Sequence, residues 1–463
     1  MASTNTESSA GKLSWMTRIA YGCGDMSCNV VWGAVSTILT LFYTDYVGIS
    51  PITVGLVMLL SRVFDGISDV IMGIIVEKTN SRWGKSRPWI LWSSLPFAIS
   101  IVLLFTVPQT DATLQFLYIF ITYNFCTTVC YTAINLPYGS LSTMMTRISH
   151  EQGMLCIVRM AMSPLGKIIA VSFTLPLVHM MGDDQAAWVK TMSIWAAVAL
   201  ILLLICFWKC EEKVNVRAKI KNPVKVPIKK SIAVLLGNKY FWIALSFWAM
   251  QNVIACASGT MLPYYCKYIF HDDSLFGILF MTEILVMVAV TLLVCPTLLK
   301  KMGKRNMSLA GAVIALIGHL IYCLNPMDFN WVVMSCVIRG IGLAPLNSVI
   351  FAFLGDVVEY GQWKTHVRQE SMIFAGGSFG AKIGSGIATA IMTGLLSLVG
   401  YVSSDSGSAV QPQAVIDMIV DIYMYGLVIV WVIVIIGLWL YKLDKMYPQI
   451  MRDLIAREAK GEL

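Results

Sequence analysis

The segment Arg62-Val-Phe-Asp65-Gly-Ile-Ser-Asp69 stands inside a long apolar run, at residues 51–76. Asp65 and Asp69 are four positions apart, so on a helix they share one face, one turn apart, and Arg62 joins that face. Two carboxylates in a membrane-length run cost about 2.5–3.5 kcal/mol each on the insertion scale, so something must compensate them. One reading is a cation bound between them. The other is a structural ion-pair cluster in which Arg62 neutralises one aspartate. Arg62 offsets only one of the two charges, which favours the cation.

Other charges fall inside apolar runs. Lys382 lies well inside the eleventh run, where a lysine must face a cavity or a carboxylate. Arg159 and Lys167 share the fifth run, and Arg159 is also close enough to its start to snorkel. Glu283 and Arg339 lie at similar depth in the eighth and tenth runs, so they can pair with each other, or Arg339 can meet a ligand carboxylate. Tyr131 and Tyr138 bracket Asn135 and offer ring faces. Asn29, Asn135 and Asn347 offer a donor and an acceptor each to hydroxyl groups.

These residues require helices that cross a membrane. The chain has 463 residues, of which only 13% are charged, against about 25% in an ordinary soluble protein. Runs long enough to span, about 20 residues each, occur at approximately 18–45, 51–76, 89–107, 114–143, 154–180, 187–208, 240–269, 275–299, 306–324, 330–354, 371–400 and 417–441. The fold class is therefore all-α, with twelve transmembrane helices. Twelve cysteines show neither zinc spacing nor a disulfide framework.

Basic residues concentrate in alternate loops: Lys78, Arg82, Lys85 and Arg87, then Arg147, then Lys300, Lys301, Lys304 and Arg305, then Lys364 and Arg368. The positive-inside rule places these loops and both termini in the cytoplasm. The expected division is a cytoplasmic N-terminus (1–17), a six-helix bundle (18–208), a basic linker (209–239), a second bundle (240–441) and a cytoplasmic tail (442–463). The linker reads as a solvated connection, with lipid contact as the second reading. A basic turn containing glycine follows both the second and the eighth span, at Gly84 and Gly303. A six-plus-six repeat of this kind is the architecture of major facilitator transporters.

The motifs Tyr-Gly-Cys-Gly-Asp (21–25), Phe-Tyr-Thr-Asp-Tyr-Val-Gly (42–48), Arg62 to Asp69, Ser-Arg-Trp-Gly-Lys-Ser-Arg-Pro-Trp (81–89), Asn-Leu-Pro-Tyr-Gly-Ser-Leu (135–141) and Gly-Asp-Val-Val-Glu-Tyr-Gly (355–361) span the chain. Together they resemble the glycoside–pentoside–hexuronide:cation symporters. In the family's melibiose permease pattern, the coupling-ion positions match Asp65, Asp69, Ser68 and Thr132, and a helix-eleven lysine matches Lys382. With Arg62, Lys382 is assigned to charge balance. A helix-five arginine matches Arg159. Two sugar-holding aspartates of that pattern fall on Asn29 and Asn135, and a stacking tryptophan falls on Gly139. The chain is more similar there to the glucuronide permease pattern.

The resemblance implies import of a glycoside by symport with Na⁺, Li⁺ or H⁺, through alternating access, in a bacterial inner membrane. The substrate set is Asn29, Asn135, Arg159, Tyr131, Tyr138, Ser378 and Arg339. Arg82, Lys85 and Arg87, with Asp356 and Glu359 as partners, form the expected cytoplasmic gate. The missing aspartates leave the sugar region more positive, which points to a uronide, with a neutral pentoside or oligosaccharide as the alternative. Beyond the coupling ion no cofactor or further metal is expected, and no nucleic acid; membrane lipid surrounds a functional monomer. An enzyme is disfavoured because His150, His179, His271, His319 and His366 form no constellation with a nucleophile or metal. A sugar sensor without net transport would need a larger appended domain. ATP-driven transport is disfavoured by the lack of a P-loop.

Overall fold

The computed structural model describes residues 13–39, 42–47, 49, 51–182, 184–214, 233–272, 275–401 and 411–460. The start of the N-terminus (1–12) and the middle of the linker (215–232) therefore lie outside the described residues. In hydrocarbon every backbone N–H and C=O must be satisfied within its own segment, and the apolar runs accordingly become helices.

Span one is α1 (Trp15–Gly33), continued by wide π turns at Ala34–Ile38 and Phe42–Tyr46. Then come α2 (Pro51–Lys78) and α3 (Arg87–Leu104). Span four is α4 (Ala112–Asn124), a π segment at Phe125–Tyr131 and α5 (Thr132–Met145). Spans five and six are α6 (Ser149–Met180) and α7 (Gln185–Lys209). The second half holds α8 (Lys239–Tyr268), α9 (Leu275–Leu293), α10 (Cys295–Leu324), α11 (Phe329–Thr365) and α12 (Glu370–Leu398). Its last span is α13 (Gln413–Asp421), a π turn at Ile422–Gly426 and α14 (Leu427–Leu440), and α15 (Leu443–Lys460) follows.

Among the described residues, ten helical stretches are long and apolar enough to cross a membrane. The continued α1 and the carboxylate-bearing α2 bring the spans to twelve. Gly303 (φ +75°) breaks α10, so that 295–302 completes span eight and 304–324 is span nine.

Side-chain caps fix three helix starts. Ser14 Oγ accepts from Thr17 N (3.1 Å) at α1, Asp184 Oδ1 from Ala187 N (2.6 Å) at α7, and Asn238 Oδ1 from Tyr240 N (3.1 Å) at α8. All twelve cysteines are free thiols.

The chain forms two compact units. The first contains 1–235, 358–376 and 450–463; the second contains 236–357 and 377–449. The end of α11 and the start of α12 thus pack within the first unit, although by sequence they belong to the second half.

The two basic glycine turns are built alike, each inside its own unit. Glu212, just beyond α7, accepts the backbone N–H groups of Lys85 (2.9 Å), Ser86 (2.7 Å) and Arg87 (2.8 Å), while Arg87 Nε donates to Phe207 O (2.7 Å). In the second unit Asp444, just beyond α14, accepts from Arg305 N (2.8 Å), and Arg305 Nε donates to Leu438 O (2.9 Å). Both glycines have positive φ, +105° at Gly84 and +75° at Gly303, which side-chain-bearing residues rarely adopt. A Cβ at Gly84 would lie 2.1 Å from Glu212 Oε2.

Candidate functional site

On α2, Leu60, Phe64, Ile67, Ile71 and Ile75 are exposed, while Ser61, Asp65, Asp69, Met72 and Val76 are buried. This 3.6-residue pattern turns both aspartates away from the outer face; they are 7% and 3% exposed. Their partners lie on span four. Thr128 Oγ1 donates to Asp65 Oδ1 at 2.6 Å, and Thr132 Oγ1 lies 3.3 Å from both Asp69 Oδ1 and Ser68 Oγ. One rung further, Asn124 Nδ2 donates to Ser61 Oγ at 2.9 Å.

Every rung joins residues 63 positions apart, so the two spans run parallel and in register. Positions four apart on an α-helix drift about 40° per step. The π segment Phe125–Tyr131 carries a wider turn through Thr128, and such turns recur at functional sites. The result is a buried group of carboxylate and hydroxyl oxygens, the ligand type a hard cation takes. The side chain of Arg62 lies outside the described residues.

A second cluster joins α1, α5 and α6. Arg159, 3% exposed, donates from Nη2 to Asp25 Oδ1 at 2.8 Å and approaches Asn135 Oδ1 at 3.5 Å. Asn29 Nδ2 donates to Asp25 O (2.9 Å) and lies 3.3 Å from Asp25 Oδ2. The Arg159 guanidinium also lies 4.7 Å from the Tyr138 ring centre. Tyr138 is fully buried, stacks on Tyr21 at 4.7 Å and donates to Tyr21 O at 2.6 Å, so it acts as packing behind the cluster. Tyr131 remains half-buried beside Trp32, with ring centres 5.5 Å apart. At Gly139, Phe374 sits 3.2 Å from where a Cβ would be.

Asp25 and Thr128 were not singled out from the sequence. Both carried a signal: Asp25 stands four residues before Asn29, and Thr128 four before Thr132, which repeats the spacing of the aspartates.

The second unit holds Arg339, Ser378, Lys382 and Asp356. Arg339 Nη2 pairs with Glu283 at 2.8 Å, and Nη1 donates to Tyr423 OH at 3.0 Å. Ser378 and Lys382 are half-buried on α12, one turn apart.

Sequence reasoning paired Arg82, Lys85 and Arg87 with Asp356 and Glu359; the structure shows other partners. Lys85 reaches Glu77 (2.9 Å) and Glu370 (3.3 Å), and Arg82 lies over the ring of its neighbour Trp83. Fully buried Glu359 takes Arg368 (2.8 Å) and Arg147 (3.7 Å). Asp356 pairs with Lys304 at 2.5 Å. The reason is local: Lys304, in the second unit's own basic turn, is the cation next to Asp356, and in the first unit Arg368 and Arg147 occupy the Glu359 carboxylate.

Two charges outside the spans are displaced from their ordinary values. Burial pushes the Glu212 carboxyl up, and the N–H groups of Arg87, Lys85 and Ser86 pull it back only in part. Burial works against the Arg368 charge, but Glu359 and Glu370 outweigh it and hold the guanidinium above its usual value.

Comparison with known proteins bears on these clusters. The family model described as MFS/sugar transport protein matches residues 20–445. An isoprimeverose transporter of Lactiplantibacillus pentosus is 31% identical over 96% of this chain and 92% of its own length. A putative glycoside/cation symporter of Escherichia coli K12, YagG, is 29% identical over 97% of both chains, and the glucuronide carrier protein homolog of the same organism is 27% identical over 96% and 97%. In fold the chain is similar to the E. coli fucose:proton symporter FucP, with a TM-score of 0.66 at 13% identity over 91% of this chain and 97% of that one. The chain belongs to the MFS/sugar transport proteins, as a member of the glycoside–pentoside–hexuronide:cation symporters of the major facilitator superfamily.

Proposed function

We propose that this chain imports a glycoside by symport with a cation, Asp65, Asp69, Ser68, Thr132 and Thr128 holding the ion and Asn29 and Asn135 taking sugar hydroxyls. The observation that carries this reading is the in-register ladder of hydroxyls against two buried carboxylates. Uncharged hydroxyls add ligands for Na⁺ or Li⁺ and add nothing needed for holding a proton, so Na⁺ is the favoured coupling ion. Ion binding removes carboxylate repulsion and thereby favours sugar; linkage then requires the sugar to tighten the ion by the same factor. Lys382 and Arg62 balance the site's charge. Arg147, Glu359 and Arg368 form the cytoplasmic gate together with Lys85 and Glu370, and both termini face the cytoplasm. The protein works as a monomer by alternating access.

The test is uptake of labelled glycosides into vesicles under imposed Na⁺ or H⁺ gradients. A Na⁺ gradient is expected to drive accumulation. Accumulation indifferent to both gradients would refute coupling, and accumulation driven by H⁺ alone would refute the choice of ion.

A further inference from the structure

Among the described cations inside the first unit's spans, Lys167 differs from Arg159. Arg159 is already bonded to Asp25, and in the second unit Arg339 is already bonded to Glu283. Lys167 has no hydrogen bond or ion pair among the described residues. It lies near the middle of α6 (Ser149–Met180), about 20 Å from the nearer helix end by helical rise, beyond the reach of a snorkelling stem.

Its neighbour is known. A Cβ placed on Gly33 would meet Lys167 Cγ at 3.1 Å and Lys167 O at 3.2 Å, so the lysine lies against α1 where α1 carries no side chain. Asp25 and Arg159 are 134 positions apart, and Gly33 and Lys167 have the same separation. The two spans are therefore parallel and in register, with Asp25, Asn29 and Gly33 following one another turn by turn along α1. Lys167 stands one rung, about 6 Å, beyond Asn29 and two rungs, about 12 Å, beyond Arg159.

We propose that Lys167 reads charge on the substrate: it receives the carboxylate of a uronosyl unit whose hydroxyls lie at Asn29 and Asn135. This rests on the reading of the chain as a glycoside symporter. The charges of Arg159 and Arg339 are already balanced by Asp25 and Glu283, so a substrate acid gains less there. A lysine on a flexible stem, with no acid beside it among the described residues, gains a charge-assisted bond when the substrate brings one.

The experiment compares p-nitrophenyl β-D-glucuronide with p-nitrophenyl β-D-glucoside, as binding to purified full-length protein and as competition with uptake. Wild type is expected to prefer the glucuronide. Lys167→Met, which keeps the stem, is expected to lower the glucuronide-to-glucoside affinity ratio roughly 10- to 100-fold, and Lys167→Arg to keep it within a few-fold. In wild type, bound glucuronide is expected to shield Lys167 from reductive methylation followed by mass spectrometry, and glucoside is not; this arm does not depend on any variant folding. Equal affinity for both compounds in wild type, an unchanged ratio in Lys167→Met, or equal shielding would overturn the proposal while leaving glycoside symport standing. Binding of neither compound would overturn the proposal, and the vesicle uptake test would then decide glycoside symport by itself.

Discussion

Thr128 shows what a single hydroxyl is worth at such a site. Its 2.6 Å bond to Asp65 is a hydrogen bond to a charged acceptor, a class worth about 1.5–3 kcal/mol. Thr128→Val removes that bond and, on the proposed reading, one oxygen ligand, so the half-saturating Na⁺ concentration for uptake should rise roughly tenfold or more while the protein keeps its fold. An unchanged Na⁺ dependence would take Thr128 out of the ion site. Asp65→Asn with Asp69→Asn should abolish accumulation against a gradient and leave exchange of bound sugar; accumulation surviving in the double variant would end the cation-site assignment. Lys382→Ala should alter ion preference or affinity before it alters expression, and wild-type ion dependence in that variant would make the lysine structural. At this scale the sequence was informative where charge and apolarity conflict within one run, as at Asp65, Asp69 and Arg159. It was mute where function depends on which helix lies opposite. Asp25 looks like any other acid until α6 is seen to bring Arg159 to it, and Thr128 looks like one small polar residue among several until the offset of 63 aligns it with Asp65.

Among the elements, the glycine turns carry the clearest prediction. Glu212 satisfies three N–H groups at the start of α3, bonds that an N-cap side chain would otherwise make in part. Glu212→Ala should destabilise by about 1–2 kcal/mol, as loss of a helix cap does, read as a lower melting temperature in detergent. Gly84→Ala should be at least as harmful, because the +105° φ is strained for alanine and the new Cβ collides with Glu212. The pH dependence has a definite sign. A carboxyl whose folded pKa is raised binds more protons in the folded state between its ordinary value, 4.5, and its raised one. Wild type should therefore gain stability relative to Glu212→Gln as pH falls from neutral towards 4.5, and the gain should be lost as pH rises through the folded value. A relative loss on acidification would mean that the three N–H bonds outweigh burial. Hydropathy marked both basic turns as equivalent, but it could not identify their acceptors, which lie 127 and 139 positions along the chain.

For the whole chain, the twelve spans followed from run length, because hydrocarbon leaves the backbone few alternatives. The partition into units did not, since residues 358–376 are continuous in sequence with the second half and packed in the first unit. Glu359 is the hub of that packing. Glu359→Gln would leave Arg147 and Arg368 near an uncharged amide, and breaking a buried pair of this kind costs about 3–5 kcal/mol. The melting temperature should fall sharply, and a small change would show that the remaining acids, Glu370 and Glu458, suffice. The two distant carboxylate caps have a consequence for biosynthesis. A chain made from its N-terminus exposes the turn at Gly84 long before Glu212 exists, and the turn at Gly303 long before Asp444 does. Each cap closes only after the last span of its own half has been made, so it acts as a completion mark. Ribosome-arrested chains that end before residue 212 should be cut by protease near residue 84, and those that extend well past it should resist.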